Sequence, residues 1–180
     1  MGDYLLPSYQ GYHYQPHNFT DWGRTNIYRE TDGKYYTLSK DEWNYLINVR
    51  KITRDGQKES GSGVGNTCQW VTYNGVKGLI IYPDVYSGIK YKRHDVIDVN
   101  SFPYGCVFLP AAGVCDSNLH LGEYGETGFY WTSDSGPDDF KTGTAGTLWF
   151  GEDVNNTVSL EYYHKRDVGL SVRLVRNKYQ

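Results

Sequence analysis

Carboxylates crowd one stretch of this sequence: Glu123, Glu126, Asp134, Asp138 and Asp139 fall between residues 123 and 139 with no Lys or Arg among them. With Glu152 and Asp153 further on, they offer the oxygens that Ca²⁺ needs, about six to eight. Their spacing matches no EF-hand loop, so the expected state is a solvated acidic face that holds no metal, with attraction of a basic ligand as the alternative. His13 and His17 stand four apart, but Pro16 breaks the helix that would place them together, and no Glu follows His13 as HExxH requires. Three cysteines, Cys68, Cys106 and Cys115, allow at most one internal bridge and one free thiol. Cys106 and Cys115 can pair across the turn between them, or all three can remain reduced. Neither a CxxC motif nor a Gly-x-Ser-x-Gly elbow is present, and the glycines of residues 55–66 lack both the dinucleotide and the P-loop spacing. No catalytic residue, cofactor or enzymatic activity is expected.

Binding chemistry is better represented. The 180 residues include 18 Tyr and 5 Trp against 6 Phe and 1 Met, a bias toward aromatics with one apolar body and one polar tip. Two inserts, residues 133–147 and 153–168, are rich in Asp, Gly, Thr, Asn and Tyr and show no period. Such residues need no partner in a core, and Tyr and Trp give contact area at small entropic cost. Trp149 lies between the inserts and is the expected anchor of a ligand face, with Tyr162, Tyr163, His164, Asp138, Asp139 and Asp167 as contacts. Net charge is −3 and no Lys/Arg cluster stands out, so no nucleic-acid partner is expected. No apolar run approaches the length of a membrane span, about 18 residues. Met1-Gly2-Asp3 opens no signal peptide, so an exported form would appear here as a mature piece.

The elements that must position these residues follow from pattern. Residues 1–22 are Tyr-, Pro- and Gly-rich without period and are expected as an extended arm; residues 23–180 are expected as one domain. Ser39 with Glu42 forms a capping box, and Leu38 with Trp43 a hydrophobic staple, predicting a helix over residues 40–50 with Trp43 in the core. Asn74-Gly75 between two apolar runs predicts a hairpin with a type I′ turn. Residues 128–133, 145–150 and 169–175 alternate apolar and polar side chains and are expected as strands with one buried face. Helix, hairpin and strands in this order make an α+β fold with antiparallel sheets.

Five segments, in order, carry a resemblance: residues 36–46 (YTLSKDEWNYL), 74–84 (NGVKGLIIYPD), 107–113 (VFLPAAG), 128–133 (GFYWTS) and 169–173 (GLSVR). Together they resemble the C-type-lectin-like surface domains of gut Bacteroidota, related to the Fibrobacter major paralogous domain. The wider fold group includes formylglycine-generating enzymes and retroelement-diversified variable ligand-binding proteins. The resemblance implies a C-type-lectin-like fold with long C-terminal loops as a display surface. It also implies an extracellular or cell-surface setting, on a pilus or phage particle included. Within it, Trp131, Leu148, Phe150, Val172 and Leu174 are expected in the core, Arg173 as a buried or half-buried partner of carboxylates or carbonyls, and Thr147 and Trp149 on the other face. The implied function is a ligand-binding display domain for adhesion or receptor recognition, with a protein or glycan ligand. The alternatives are a structural domain without a ligand and a formylglycine-generating enzyme. That enzyme needs paired cysteines in the site, and the C-terminal third of this chain has none, since Cys115 is the last. The triplets of calcium-dependent sugar-binding lectins are absent as well.

Overall fold

The structure is a computed structural model that describes residues 35–49, 53–54, 57–58, 67–116, 118–137, 143–152 and 158–176. The expected arm, His13 and His17, Asp138 and Asp139 lie outside the described residues.

Strand β1 (Tyr35–Thr37) leads into helix α1 (Lys40–Asn44), which begins as its sequence dictates. The Glu42 amide donates to the Ser39 hydroxyl at 3.2 Å, and the Ser39 amide donates to the Glu42 carboxylate at 2.8 Å. Leu38 and Trp43, the two ends of the staple, are both buried in the main core. The α-geometry stops earlier than expected, because Tyr45–Val49 forms a π-helical turn. The wider turn keeps Ile47 fully buried, and its carbonyl accepts from the Thr67 hydroxyl at 2.6 Å, a side-chain bond of the kind that perturbs a helical ladder.

The hairpin of β4 (Cys68–Tyr73) and β5 (Val76–Ile81) closes through Asn74 and Gly75 at φ 48° and 78°, the two left-handed residues of a type I′ turn. Strand β6 (Val96–Ile97) adds parallel to β4, and β7 (Val107–Pro110) antiparallel to β5, giving the order β6-β4-β5-β7. Alternation buries both faces. Cys68, Trp70, Leu79, Ile81 and Leu109 enter the main core, while Val71, Ile80 and Ile97 meet Tyr82 and Tyr86 beneath the irregular chain of residues 82–106.

A second sheet, β10 (Thr127–Ser135), β11 (Thr144–Gly151) and β12 (Val158–Lys165), packs with α1 on the opposite side of the main core. Here the expected loop at residues 153–168 is corrected, because Val158–Lys165 within it is strand. A one-residue bulge hides the pattern: Trp149 pairs with Ser159, but Thr147 pairs with Tyr162. The extra residue is Glu161, whose amide donates to the Ser159 hydroxyl at 3.2 Å. Val158 and Leu160 therefore point into the core, and beyond the bulge Tyr162 and His164 point out of it. Strand β13 (Leu174–Arg176) pairs with β1. The strand expected over residues 169–175 is otherwise reduced to single bridges, Gly169 to Cys115 and Ser171 to Tyr130. Its alternation survives: Leu170, Val172 and Leu174 are half-buried, whereas Arg173, expected inside, is exposed. Short hairpins β2 (Thr53–Arg54) with β3 (Gln57–Lys58) and β8 (Val114–Cys115) with β9 (Leu121–Gly122) complete a mixed α+β architecture of mostly antiparallel sheets. Among the described residues no helix is long and apolar enough to cross a membrane.

Trp43→Ala empties a site that is 2% exposed at the junction of α1 and both sheets. The expected loss is about 3–5 kcal/mol of stability, read by thermal or denaturant unfolding. An unchanged transition would show that the staple does not anchor the helix.

Candidate functional site

The outer face of the β10-β11-β12 sheet is built by register. Phe129 lies opposite Trp149 and Trp131 opposite Thr147, all pointing away from Tyr130, Leu148 and Phe150. Trp131 is thus buried as expected, but on the other side of the sheet from Leu148. Leu170 and Val172 cover it together with Ala145. Thr147 is likewise on the expected face yet fully buried, because His164 and Tyr162 stand beside it on β12. The predicted single buried face is in fact two.

The cover ends at Trp149 and Tyr162. Their rings form a tilted pair, centroids 5.3 Å apart at 47°, with Trp149 half-buried and Tyr162 46% exposed. Beside them the His164 ring meets the Phe129 ring edge-on at 5.0 Å. The Thr147 hydroxyl donates to the Tyr162 carbonyl at 3.1 Å and lies 3.3 Å from His164 Nδ1. Since that hydroxyl proton is committed, a neutral His164 must carry its own proton on Nδ1 and donate it to Thr147, leaving Nε2 as the acceptor. Burial lowers the His164 pKa, and the Glu123 charge opposes this with a smaller upward pull. Glu123 sits on the turn before β10 in a left-handed conformation, φ 56°, where its carboxylate accepts from the Thr127 hydroxyl at 2.7 Å. What the arrangement offers a ligand is an aromatic corner with a carboxylate and a neutral imidazole beside it.

The expected contact residues therefore separate. Trp149, Tyr162 and His164 come together. Tyr163, adjacent in sequence, points to the opposite side of the sheet, where Lys40 Nζ donates to its hydroxyl at 2.8 Å and lies 4.6 Å from its ring centroid. Strand geometry alone demands this, since neighbours alternate in direction. Asp167 is exposed on the turn past Lys165, at the opposite end of β12 from Ser159, the partner of Trp149. Asp138 and Asp139 are not among the described residues. Glu123, Phe129 and Thr147 were missed as site residues. The acidic run contained Glu123, but only register could place Phe129 opposite Trp149.

The other candidates for chemistry have structural work. Asp134 accepts from the Lys40 amide at 2.6 Å and so caps α1, and Glu152 pairs with Lys77 at 2.7 Å. Among the described residues no three His, Cys, Asp or Glu side chains cluster as metal ligands. Cys68, Cys106 and Cys115 form no disulfide, and burial pushes the Cys106 thiol up to about 11, so it stays protonated at neutral pH. No family model, curated protein or solved structure matches the chain.

The depressed His164 pKa has a definite sign. Below the ordinary histidine value, about 6.5, the unfolded chain takes up a proton that the folded site resists. Stability is then lost as pH falls through that value, and the loss levels off below the folded pKa. Melting temperature followed from about pH 7.5 to 5 should fall more steeply for the wild type than for His164→Gln. Parallel curves would mean that His164 titrates as a solvated side chain.

Proposed function

We propose that this chain is a ligand-binding display domain for adhesion or receptor recognition. It acts at a cell surface or another extracellular surface, a pilus or phage particle included, and meets a protein or glycan ligand through Trp149, Tyr162 and His164. The observation that carries this reading is the Trp149–Tyr162 ring pair, half open to solvent on a strand-built face. Strands on a packed sheet hold side chains more firmly than loops do, so a ligand that meets this corner costs little ordering entropy. The pair presents apolar ring surface flanked by hydrogen-bonding groups, which suits a sugar ring or an aliphatic partner side chain. Glu123 and the Nε2 of His164 accept hydrogen bonds from hydroxyls or amides at the rim. The α+β class supports the C-type-lectin-like assignment at the level of class, and that finer assignment belongs to this proposal. Binding rather than catalysis is the reading because the C-terminal third of the chain holds no cysteine for the paired-thiol site that formylglycine-generating enzymes need, Cys115 being the last.

A glycan and protein array identifies the ligand, and variants then locate it. Trp149→Ala and Tyr162→Ala should each weaken binding by roughly 2 kcal/mol, about 30-fold, with little change in melting temperature. Tyr163→Phe, which removes only the hydroxyl bonded to Lys40, should leave affinity intact. Undiminished affinity in both alanine variants would place the ligand elsewhere.

A further inference from the structure

On the side of the molecule where β7 approaches the chain of residues 171–173, a cleft of about 290 Å³ is lined by Phe108, Pro110, Tyr130, Ser171 and Arg173 among others. Its chemistry is two-sided. Phe108, Pro110 and the Tyr130 ring give apolar walls. Ser171 and Arg173, two apart on an extended segment, bring a hydroxyl and a guanidinium to the same opening. The backbone that carries them is fixed to β10: the Ser171 amide donates to the Phe129 carbonyl at 3.0 Å, and the Ser171 carbonyl accepts from the Trp131 amide at 2.9 Å. The Tyr130 hydroxyl is fixed too, donating to the Pro110 carbonyl at 3.0 Å. Its proton is therefore spent, and the Ser171 hydroxyl is engaged in turn with the Tyr130 oxygen, so Arg173 is the side-chain donor left for an incoming group.

Arg173 makes no ion pair among the described residues and is exposed rather than folded onto a carboxylate. Burial lifts the Tyr130 phenol to about 12, offset in part by the Ser171 hydroxyl bonded to it and, less, by the Arg173 charge. A guanidinium offers donors in a planar fork matched to a carboxylate. One guanidinium balances a single negative charge. A phosphate monoester, at about −1.5 to −2, would remain uncompensated here. The volume falls just below the lower end of small-ligand sites, about 300 Å³, so the cleft holds an end group and not an extended chain.

We infer that this cleft is a second binding site, distinct from the aromatic corner, which takes a small apolar monocarboxylate: the carboxylate on Arg173, the apolar body against Phe108 and Pro110.

N-acetyl-leucine and its C-terminal amide, which differ in the charge and not in the body, test this by amide NMR titration. The acid should bind with Kd about 1–5 mM, ordinary for a probe of this size, and shift the Phe108, Ser171 and Val172 amides. The amide probe should bind about tenfold more weakly or less well still. Arg173→Gln should erase the difference between the probes, and Arg173→Lys should recover part of it. Trp149→Ala should change nothing at this site. Equal binding of acid and amide, full acid binding by Arg173→Gln, or no saturable shift at the cleft amides would each overturn the inference. Loss of acid binding in Trp149→Ala at unchanged melting temperature would also overturn it, moving the acid to the aromatic corner and leaving the reading of that corner intact.

Discussion

The Phe150 ring holds the two halves of this molecule together. It lies over Gly128 on the neighbouring strand, so close that a Cβ added there would sit 2.1 Å from a ring carbon. On one side it stacks with Tyr130, centroids 5.9 Å apart at 21°, and on the other it meets the edge of Trp70 at 6.2 Å. Trp70 belongs to β4 and Tyr130 to β10, so this one ring joins the hairpin sheet to the C-terminal sheet. Gly128 is required for the simplest of reasons: a larger residue would push the ring out of its slot. A buried ring of this size is worth about 3–5 kcal/mol by truncation, a large share of the 5–15 kcal/mol that holds a domain of ordinary stability. No surface ion pair here, Lys77 with Glu152 included, compares with that, since exposed pairs contribute about 0–1 kcal/mol.

With the inner face fixed by Phe150, the outer face of the same sheet is free to vary, and two irregularities shape it. The bulge at Glu161 turns Tyr162 and His164 outward on a strand whose first half points inward. The register shift in β10 between Trp131 and Ser135 does different work. It frees Asp134 to accept from the Lys40 amide and Ser133 to donate to the Leu38 carbonyl, so the sheet itself supplies the cap and entry of α1. Acidic groups that sequence placed on a solvated face are thus partly consumed by architecture. A carboxylate on a helix amide is a charge-assisted bond at a favourable end of the dipole, and it outweighs the weak attraction that an isolated exposed acid would exert on a distant ligand.

How much of this was legible depended on whether the pattern was local. The capping box, the staple and the Asn74-Gly75 turn are decided within four or five residues, and each formed as its residues dictate. Trp43, Leu148 and Phe150 were legible as core for the same reason. β12 was not, because its alternation changes phase at Glu161 and no short window shows a period across it. The face of Trp131 was not legible either, since alternation fixes neighbours as opposite without saying which side is inside when both are covered. Arg173 failed in a third way: its position beside half-buried Val172 is right, but period two sends it out. Of the candidate site, Trp149 and His164 were found by residue type, while their partners Phe129, Thr147 and Glu123 are set by register between strands and by a turn distant in sequence.

Alternation also explains how so short a stretch serves both the aromatic corner and the proposed carboxylate cleft. Along β10, Phe129 and Trp131 support the outer face while Tyr130 between them turns its hydroxyl to Pro110 at the cleft. Along residues 170–173, Leu170 and Val172 cover Trp131 while Ser171 and Arg173 meet the opening. The two stretches are joined by the paired bonds of Ser171 to Phe129 and Trp131, so a shift of either would disturb both surfaces at once. Packed cores resist continuous deformation, and Tyr130 is stacked on Phe150 at the centre of this one. The corner and the cleft are therefore held still by the ring that joins the sheets, and a ligand at one should leave the geometry of the other unchanged.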